Sequence, residues 1–302
     1  MAGIDGRCMS SDGKLNETEF LTTREVAELL RVKERKVYDL AAAGEIPHRR
    51  ITGKLLFPRA ELTAWIDGTG PGAIRTARPP VIAGSHDPLL DWAVRESACA
   101  LAMLVNGSRD GLDSFAAGQA AAAGLHVPDD EGWNVRSVAA LDLRDAVLVT
   151  WASRQRGLLV SRDASSQITG INDLRGRRVI LRQPSAGASA LFDILLSRAG
   201  LSPEDLKPSP ALARTESDAA AAVAAGEADA ALGIEAMASR YGLPFRPLLQ
   251  ENFDLLIDRH AYFTPPIQTL LRFARTEPFL AKADAMGGYD VSDLGTVRWL
   301  SP

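Results

Sequence analysis

Glycine and proline are concentrated in one short segment of this 302-residue chain, and that segment divides the sequence into two unequal parts. Residues 67–80 are dense in both residue types, include Arg75 and Arg78, and show no apolar periodicity. Such a composition interrupts helices and strands, so this segment is predicted to be a solvated interdomain linker. The chain is also longer than one average domain. We therefore expect a small domain over residues 20–66 and a larger one over residues 81–302.

The overall composition is typical of a globular protein with a packed core, at 46% hydrophobic and 24% charged residues. Residues 1–19 lack the apolar segment of a signal peptide, and no later apolar run is long enough to span a bilayer. We therefore expect a flexible N-terminus and a cytoplasmic protein. Cys8 and Cys99 have no metal-binding or redox spacing, so no metal site is expected, and Cys99 is predicted to be buried.

The charge of the chain is unevenly distributed. The formal net charge is −4, yet residues 20–66 contain nine basic side chains against six acidic ones. An excess of positive charge confined to one small domain is typical of a module that meets phosphate groups.

The pattern of the small domain predicts a helix, a turn, a second helix, a hairpin and a third helix. Thr22 and Thr23 precede an amphipathic segment that ends near Leu30, where a hydroxyl can cap the helix. A second helix is expected over residues 33–43, with Gly44 as its stop signal. Residues 46–57 alternate around a glycine turn, as in a β-hairpin.

These segments resemble, in order and spacing, the winged helix-turn-helix domains of excisionases and MerR-like regulators. The matching segments are LTTREVAELL at 21–30, VY at 37–38, GEIP at 44–47 and FPRAELTAWI at 57–66. The resemblance implies an α+β fold whose second helix enters the major groove of DNA, while the hairpin lies along a neighbouring groove or the backbone.

Nine residues of this domain are candidates to contact DNA. Arginine and lysine would mostly neutralise phosphates, while Arg35, Lys36 and Tyr38 would read bases. The nine are Thr23, Arg24, Lys33, Arg35, Lys36, Tyr38, Arg49, Arg50 and Lys54. The alternative is that these charges form an ordinary solvated face. Six apolar residues are assigned to the core, namely Val26, Leu29, Val37, Leu40, Phe57 and Trp65.

Beyond residue 81, short apolar runs alternate with helical patterns, which predicts an α/β fold with largely parallel sheets. Several runs end in turns of small polar residues, where free amides at a helix start suit an anion. This part resembles the type II periplasmic-binding-protein superfamily, in the form attached to helix-turn-helix domains. The residues that carry the resemblance are AGSHDPLL at 83–90, DSFAAGQA at 113–120, AGLH at 123–126, NDLRG at 172–176, the loop 182–188 and AAGEADAALGI at 224–234.

The resemblance implies two lobes with a ligand in the cleft between them. One lobe would hold about residues 81–148 and 246–302, and the other about residues 149–245. The form that resembles molybdate- and tungstate-responsive proteins implies an oxyanion as effector, for which neutral donors at helix starts are suited. The candidate ligand-binding residues are Ser85, His86, Asp87, Ser108, His126, Arg182, Ser185, Gly187, Ala188 and Glu235.

Each of these residues also has an ordinary structural interpretation. Serine and glycine are common in turns, a lone histidine is often a satisfied polar residue, and Arg182 could pair with a surface carboxylate instead of an anion. No organic or metal cofactor is implied by the sequence.

The leading hypothesis is a transcription regulator that binds double-stranded DNA as a homodimer and responds to a small molecule. One alternative is an enzyme on the same fold, although Ser85, His86 and Asp87 are contiguous and cannot form a nucleophilic triad. Another is an excisionase-like architectural protein, which would leave the larger domain without a role. We expect no enzymatic activity and no membrane partner.

Overall fold

The computed structural model describes residues 19–51, 53–66, 77–130 and 132–301, which form two compact units divided between Thr76 and Ala77. Residues 1–18 of the predicted N-terminal segment, with Cys8, lie outside the described residues, as do residues 67–76 of the predicted linker, with Arg75. Among the described residues, no helix has the length and apolar character needed to cross a membrane.

The first unit contains three helices and a three-stranded antiparallel sheet in its described part. Its elements are β1 Phe20–Thr22, α1 Thr23–Leu30, α2 Glu34–Ala42, β2 Arg49–Ile51, β3 Lys54–Pro58 and α3 Arg59–Ile66. The predicted order of helices and hairpin is present. The structure adds β1, which pairs with β3 so that Leu21 lies opposite Phe57. The hairpin is therefore anchored to the start of α1.

A capping box fixes the first helix. The side chain of Thr22 accepts a hydrogen bond from the Glu25 N–H, and the Glu25 carboxylate accepts one from the Thr22 N–H at 2.7 Å. Val26, Val37 and Phe57 are fully buried in the core below, as predicted. The prediction for Leu29 was wrong: its side chain is 51% exposed, because Val26 and Ala27 are the residues of α1 that turn inward.

The second unit contains twelve strands and nine α-helices in its described part. The strands are β4 Val81–Gly84, β5 Ala102–Val105, β6 Ala122–Leu125, β7 Pro128–Asp129, β8 Gly132–Trp133, β9 Ala146–Val160, β10 Arg178–Arg182, β11 Lys207–Ala213, β12 Ala230–Ile234, β13 Phe245–Asp258, β14 Tyr289–Asp290 and β15 Val297–Leu300. The helices are α4 Pro88–Glu96, α5 Ser108–Ala116, α6 Val135–Ala139, α7 Gly187–Arg198, α8 Glu216–Ala224, α9 Glu235–Tyr241, α10 Arg259–Tyr262, α11 Pro265–Phe273 and α12 Glu277–Met286.

The main sheet has the strand order β11-β10-β12-β9-β13-β6-β4-β5. In it, a group of parallel strands lies on each side of the central antiparallel pair β9 and β13. Strands β4, β5 and β6 are parallel to one another, and so are β10, β11 and β12. Each parallel group with its helices forms one lobe. The two-lobed α/β fold is thus confirmed, but the sheet is mixed because β9 and β13 run antiparallel.

The strands β9 and β13 are shared by both lobes. One end of β13 pairs with β6 of the first lobe, while the far end of β9 pairs with β12 of the second. The register between them shifts at Pro247/Leu249 and at Phe253/Asp254, and such irregularities bend a strand pair. The lobes therefore change over inside these strands, and the boundaries predicted at about residues 148/149 and 245/246 also fall within β9 and β13.

Each lobe has its own apolar core. Trp151, Phe253 and Phe279 are fully buried in the first lobe, which also encloses Cys99 as predicted. The core of the second lobe includes Leu158 and Phe192. Burial of these large side chains gives each lobe a rigid interior, so that a relative movement of the lobes would be confined to the shared strands.

Arg78 belongs to the second unit. The prediction of a solvated linker was wrong at this residue, because its guanidinium lies 4.3 Å from the ring centroid of Phe115. Its Nε is also 3.1 Å from the Asp258 carboxylate, and its Nη1 donates to the Ala120 carbonyl at 3.1 Å. These contacts attach the start of the unit to both α5 and the end of β13.

The close approach of β9 and β13 makes Gly157 sensitive to substitution. A Cβ atom at Gly157 would lie 2.1 Å from the Arg246 carbonyl oxygen. We expect Gly157→Ala to destabilise the protein by about 1–3 kcal/mol through overpacking. Thermal unfolding of the full chain should show a lower Tm. Gly170→Ala is the matched control, since a Cβ there meets nothing within 4 Å. An unchanged Tm for Gly157→Ala would contradict this account of the strand pair.

Candidate functional site

The second helix of the first unit presents a polar face. Val37 and Ala41 are the buried residues of α2, which leaves Arg35, Lys36 and Tyr38 exposed. Lys33, the residue that precedes α2, is also exposed. Three cations and an aromatic side chain around the first turns of one exposed helix match the side-chain chemistry needed for phosphate and base contacts.

A concavity of ≈ 420 Å³ lies between the hairpin and the helices of this unit. Its lining includes five of the nine residues that the sequence analysis selected, namely Thr23, Arg24, Tyr38, Arg50 and Lys54. Two candidates are engaged in ion pairs, Arg24 with Glu28 at 3.1 Å and Arg49 with Glu61 at 2.6 Å. Thr23 is buried at the start of α1 and offers DNA little surface.

In the second unit, small polar side chains from the first lobe meet at the carboxyl ends of parallel strands, the edge where ligands bind in open α/β sheets. The Ser85 and Ser108 hydroxyls are 2.8 Å apart and buried. The backbone N–H of His126 donates to the Ser108 hydroxyl at 3.2 Å. Three of the predicted ligand residues, from the ends of three neighbouring strands, thus form one cluster.

The second lobe closes against this cluster through the loop that precedes α7. The Ser185 hydroxyl donates to the Asn106 carbonyl at 2.6 Å. A Cβ at Gly107 would lie 2.5 Å from the Ser185 carbonyl, and a Cβ at Gly187 would lie 2.3 Å from the His126 carbonyl. Glycine is therefore required on both sides for the lobes to approach so closely.

Helices α5 and α7 begin at this contact, and neither has a side-chain cap. The first amides of a helix carry a partial positive charge and lack partners within the helix. The site therefore combines two helix starts from opposite lobes with the hydroxyls of Ser85 and Ser108. Such an environment suits an anion.

Beside these hydroxyls lies a buried network of six charged side chains. Arg154 donates to Asp87 at 2.9 Å and also to Glu251. Arg156 donates to Glu251 at 2.5 Å and to both Glu216 oxygens at 3.1 Å. Three arginines face three carboxylates, so the network is electrically neutral at pH 7. The sixth member of the network, Arg182, donates to Glu216 at 2.7 Å.

The network joins the lobes. Asp87 caps α4 in the first lobe, accepting from the Leu90 N–H at 2.7 Å, whereas Glu216 begins α8 in the second. Arg154, Arg156 and Glu251 are provided by the shared strands β9 and β13. The charges therefore form a continuous polar link across the region where the lobes change over.

The charged state of the network follows from its neighbours. Burial opposes ionisation of Glu216, but Arg156 and Arg182 lower its pKa to about 2. The same balance, with Arg154 and Arg156 prevailing over burial, holds the pKa of Glu251 well below its usual range. Burial lowers the pKa of His126 despite the Glu251 oxygen 3.2 Å from its Nδ1, so this ring is neutral.

Some buried donors in this region have no partner within the described residues. The Nε atoms of Arg154 and Arg156 make no hydrogen bond there, and neither does the indole N–H of Trp151. Leaving a buried donor unpaired costs free energy, so these groups are available to an additional acceptor. The side chains of Arg154 and Arg156 were missed by the sequence analysis, because arginine in the middle of an apolar strand gives no motif.

The remaining predicted ligand residues have separate surroundings. Ala188 is buried in the second-lobe core, and Glu235 begins α9 without a hydrogen bond to the serine cluster among the described residues. Arg182 forms the ion pair offered as its alternative role, although its partner Glu216 is buried and not at the surface. Because Asp87 binds Arg154 and Ser85 binds Ser108, the contiguous Ser85, His86 and Asp87 do not form a catalytic relay.

The strand order, two lobes and shared central strands can be compared with known families. Residues 92–275 match the model of the PBP superfamily domain. The chain belongs to the PBP superfamily. Residues 20–69 match a helix-turn-helix domain model. Both resemblances drawn from the sequence are therefore confirmed.

Two relatives of this PBP superfamily member match most of the chain or a part of it. The protein YvgK of Bacillus subtilis (strain 168) is 26% identical over 307 residues, covering 94% of this chain and 99% of the relative. A Clostridium pasteurianum protein from the 5′ region of the ferredoxin 2Fe-2S gene is 32% identical over 79 residues, 26% of this chain and 70% of the relative.

Among solved structures, PhnD1 from Prochlorococcus marinus (MIT 9301), in complex with methylphosphonate, has a TM-score of 0.52. It is 10% identical, and the match covers 72% of this chain and 94% of PhnD1. At 10% identity, this similarity shows that the two proteins share a fold and nothing more.

The low pKa of Glu216 generates a pH prediction. With a folded pKa of about 2 and an unfolded value near 4.5, its stabilisation is present above pH 4.5 and is lost as the pH falls toward 2. The expected loss is on the order of 3 kcal/mol. We expect Glu216→Gln to lower the free energy of unfolding at pH 7. The variant should also lose less stability than the wild type as the pH falls below 4.5, as measured by denaturant unfolding.

The matched control for this experiment is Asp130→Asn, which removes a carboxylate of the same unit that pairs with Arg136 at the surface. An exposed pair of this kind contributes little. If Glu216→Gln and Asp130→Asn give the same pH dependence, the network does not stabilise the lobes as described.

Proposed function

We propose that this chain is a DNA-binding transcription regulator whose PBP-like unit binds a small oxyanion between its lobes. The helix-turn-helix unit supplies the DNA contact, and the two-lobed unit supplies the ligand response. Support for the oxyanion comes from one observation: two buried hydroxyls, of Ser85 and Ser108, lie beside two helix starts from opposite lobes that have no side-chain cap. Molybdate and tungstate are the leading candidates, on the resemblance of the sequence to molybdate- and tungstate-responsive regulators.

The chemistry of the cleft is consistent with a tetrahedral anion. Hydroxyl and backbone N–H donors bind an oxyanion without a titratable partner. The nearby ion network is neutral and therefore does not repel an incoming anion. PhnD1, which shares the fold, is described in complex with methylphosphonate, a tetrahedral anion of similar shape. Entry of the ligand requires the lobes to separate, because Ser185 and Gly187 close against the first lobe.

Ligand binding would regulate by selecting one arrangement of the lobes. A ligand shifts such an equilibrium only if it binds one arrangement better than the other. An oxyanion held by donors from both lobes satisfies this condition, because only the closed arrangement brings the hydrogen-bond donors of the two lobes to the same anion. A single module of this size contacts few bases, so we propose that the protein acts as a homodimer on an inverted repeat.

The DNA contact can be tested on the full chain with Arg35→Ala combined with Lys36→Ala. We expect affinity for DNA upstream of its own gene to fall by about tenfold or more at moderate salt, because two base-contacting side chains are lost. Fluorescence anisotropy at one fixed, moderate salt concentration measures this affinity. Arg198→Ala with Lys207→Ala removes equal charge from exposed positions of the other unit. Wild-type affinity in the Arg35 and Lys36 variant would refute the assignment of α2.

The oxyanion can be tested by thermal shift with molybdate, tungstate, sulfate, phosphate and methylphosphonate. Binding to the folded state should raise the Tm, and above the Kd the rise should grow with the logarithm of the ligand concentration. We expect calorimetry to show weaker binding of the stabilising anion by Ser85→Ala and Ser185→Ala. Ser197→Ala, an exposed serine of α7, is the matched control. Failure of every anion to raise the Tm at millimolar concentration would exclude an oxyanion effector.

A further inference from the structure

A cavity of ≈ 490 Å³ lies between α4, α9 and α12 of the PBP-like unit. None of the six charged residues of the buried network lines it, nor do Ser85, Ser108 or Ser185. Its volume falls within the range of sites that enclose small organic molecules. Of the candidate ligand-binding residues, His86 lines the cavity, which lies beside the serine cluster assigned above to an oxyanion and does not include it.

The charge of the cavity wall is positive. Arg95, Arg240 and Lys282 line it together with one carboxylate, Asp91. Asp91 is already paired with Arg95 at 2.8 Å. Within the described part of the chain, Arg240 and Lys282 have contacts to aromatic rings but no ion pair. Two cations without a carboxylate partner favour an anionic occupant.

Two uncharged polar groups of the wall are poorly satisfied. The Nδ1 atom of His86 is buried and has no hydrogen-bond partner among the described residues. Within the described ranges, the Ser217 hydroxyl donates only to the thioether sulfur of Met237, at 3.5 Å, and a thioether is a weak acceptor. Both groups would gain a stronger hydrogen bond from a polar ligand in the cavity.

An apolar wall completes the cavity. Trp92 is half-buried and is held in place by Phe273, whose ring centroid is 5.5 Å away. Lys282 Nζ lies 5.6 Å from the Trp92 ring centroid. Met237 and Met286 also line the cavity, and thioether side chains adapt to flat aromatic rings. Cations and an aromatic wall side by side suit a ligand that carries both a negative charge and a ring.

We propose that this cavity is a second ligand site, which takes a small aromatic carboxylate. Arg240 and Lys282 bind the carboxylate, the Ser217 hydroxyl donates to it, and the ring packs against Trp92. The core of the first lobe holds α4 and α12, whereas α9 belongs to the second lobe. A ligand here therefore contacts both lobes and stabilises their closed arrangement.

The test uses the full chain with 2-naphthoate as the probe and the uncharged 2-naphthamide as its isostere. Calorimetry should show saturable binding of the carboxylate and at least about tenfold weaker binding of the amide, the loss expected for a charge-assisted contact. Arg240→Ala with Lys282→Ala should weaken naphthoate binding by a similar factor. Arg198→Ala with Lys207→Ala, which removes the same charge elsewhere, should leave it unchanged.

Fluorescence locates the probe. Naphthoate should quench tryptophan emission of the wild type, and Trp92→Phe should lose most of the quenching while calorimetry still shows binding. Equal binding of amide and carboxylate, or an unaffected Arg240 and Lys282 double variant, would overturn the proposal. Displacement of naphthoate by molybdate would also overturn it, since the sites would then be one. Absence of molybdate binding would count against the oxyanion cleft alone, because the naphthoate result does not depend on it.

Discussion

The PBP-like unit depends on compensation of buried charge. Removing three arginines and three carboxylates from water is costly, and their mutual attraction offsets that cost only when the geometry is good. Here the arginines of β9 bridge carboxylates from both lobes, Asp87 on one side and Glu216 on the other. Any movement that separates the lobes must break these pairs or give them new partners. The network therefore sets the cost of opening the cleft.

That cost connects the fold to the proposed ligand response. Backbone donors and hydroxyls beside the network can bind an anion, while the network itself stays neutral. The serine cluster comes from the first lobe, and the loop that carries Ser185 comes from the second. A ligand held by both lobes adds to the attraction that the ion pairs already supply. Regulation then requires only a small change in the free-energy difference between the open and closed arrangements of the lobes, to which the buried ion pairs contribute.

Local patterns predicted the elements well, because caps, turns and periodicity act over a few residues. The Thr22 hydroxyl caps α1 as expected, and Ser85, Ser108 and His126 follow the ends of neighbouring parallel strands. Predictions failed where distant chain segments decide the outcome. Leu29 lies in a helical apolar pattern, yet the packing of α1 leaves it exposed. Arg78 follows a glycine-rich segment, yet Asp258, far along the chain, pairs with it.

By itself, the sequence determined the two-part organisation, the order of helices and hairpin in the first unit and the α/β class of the second, since each follows from short-range propensity and hydrophobic period. The two lobes were implied by the resemblance to periplasmic binding proteins. Only the tertiary structure decided which charges would be buried together. Arg154 and Arg156 stand in an apolar strand whose pattern gives no sign of Glu251 and Glu216, about 100 and 60 residues away. Electrostatic pairing depends on distance in space, and separation along the chain does not reveal it.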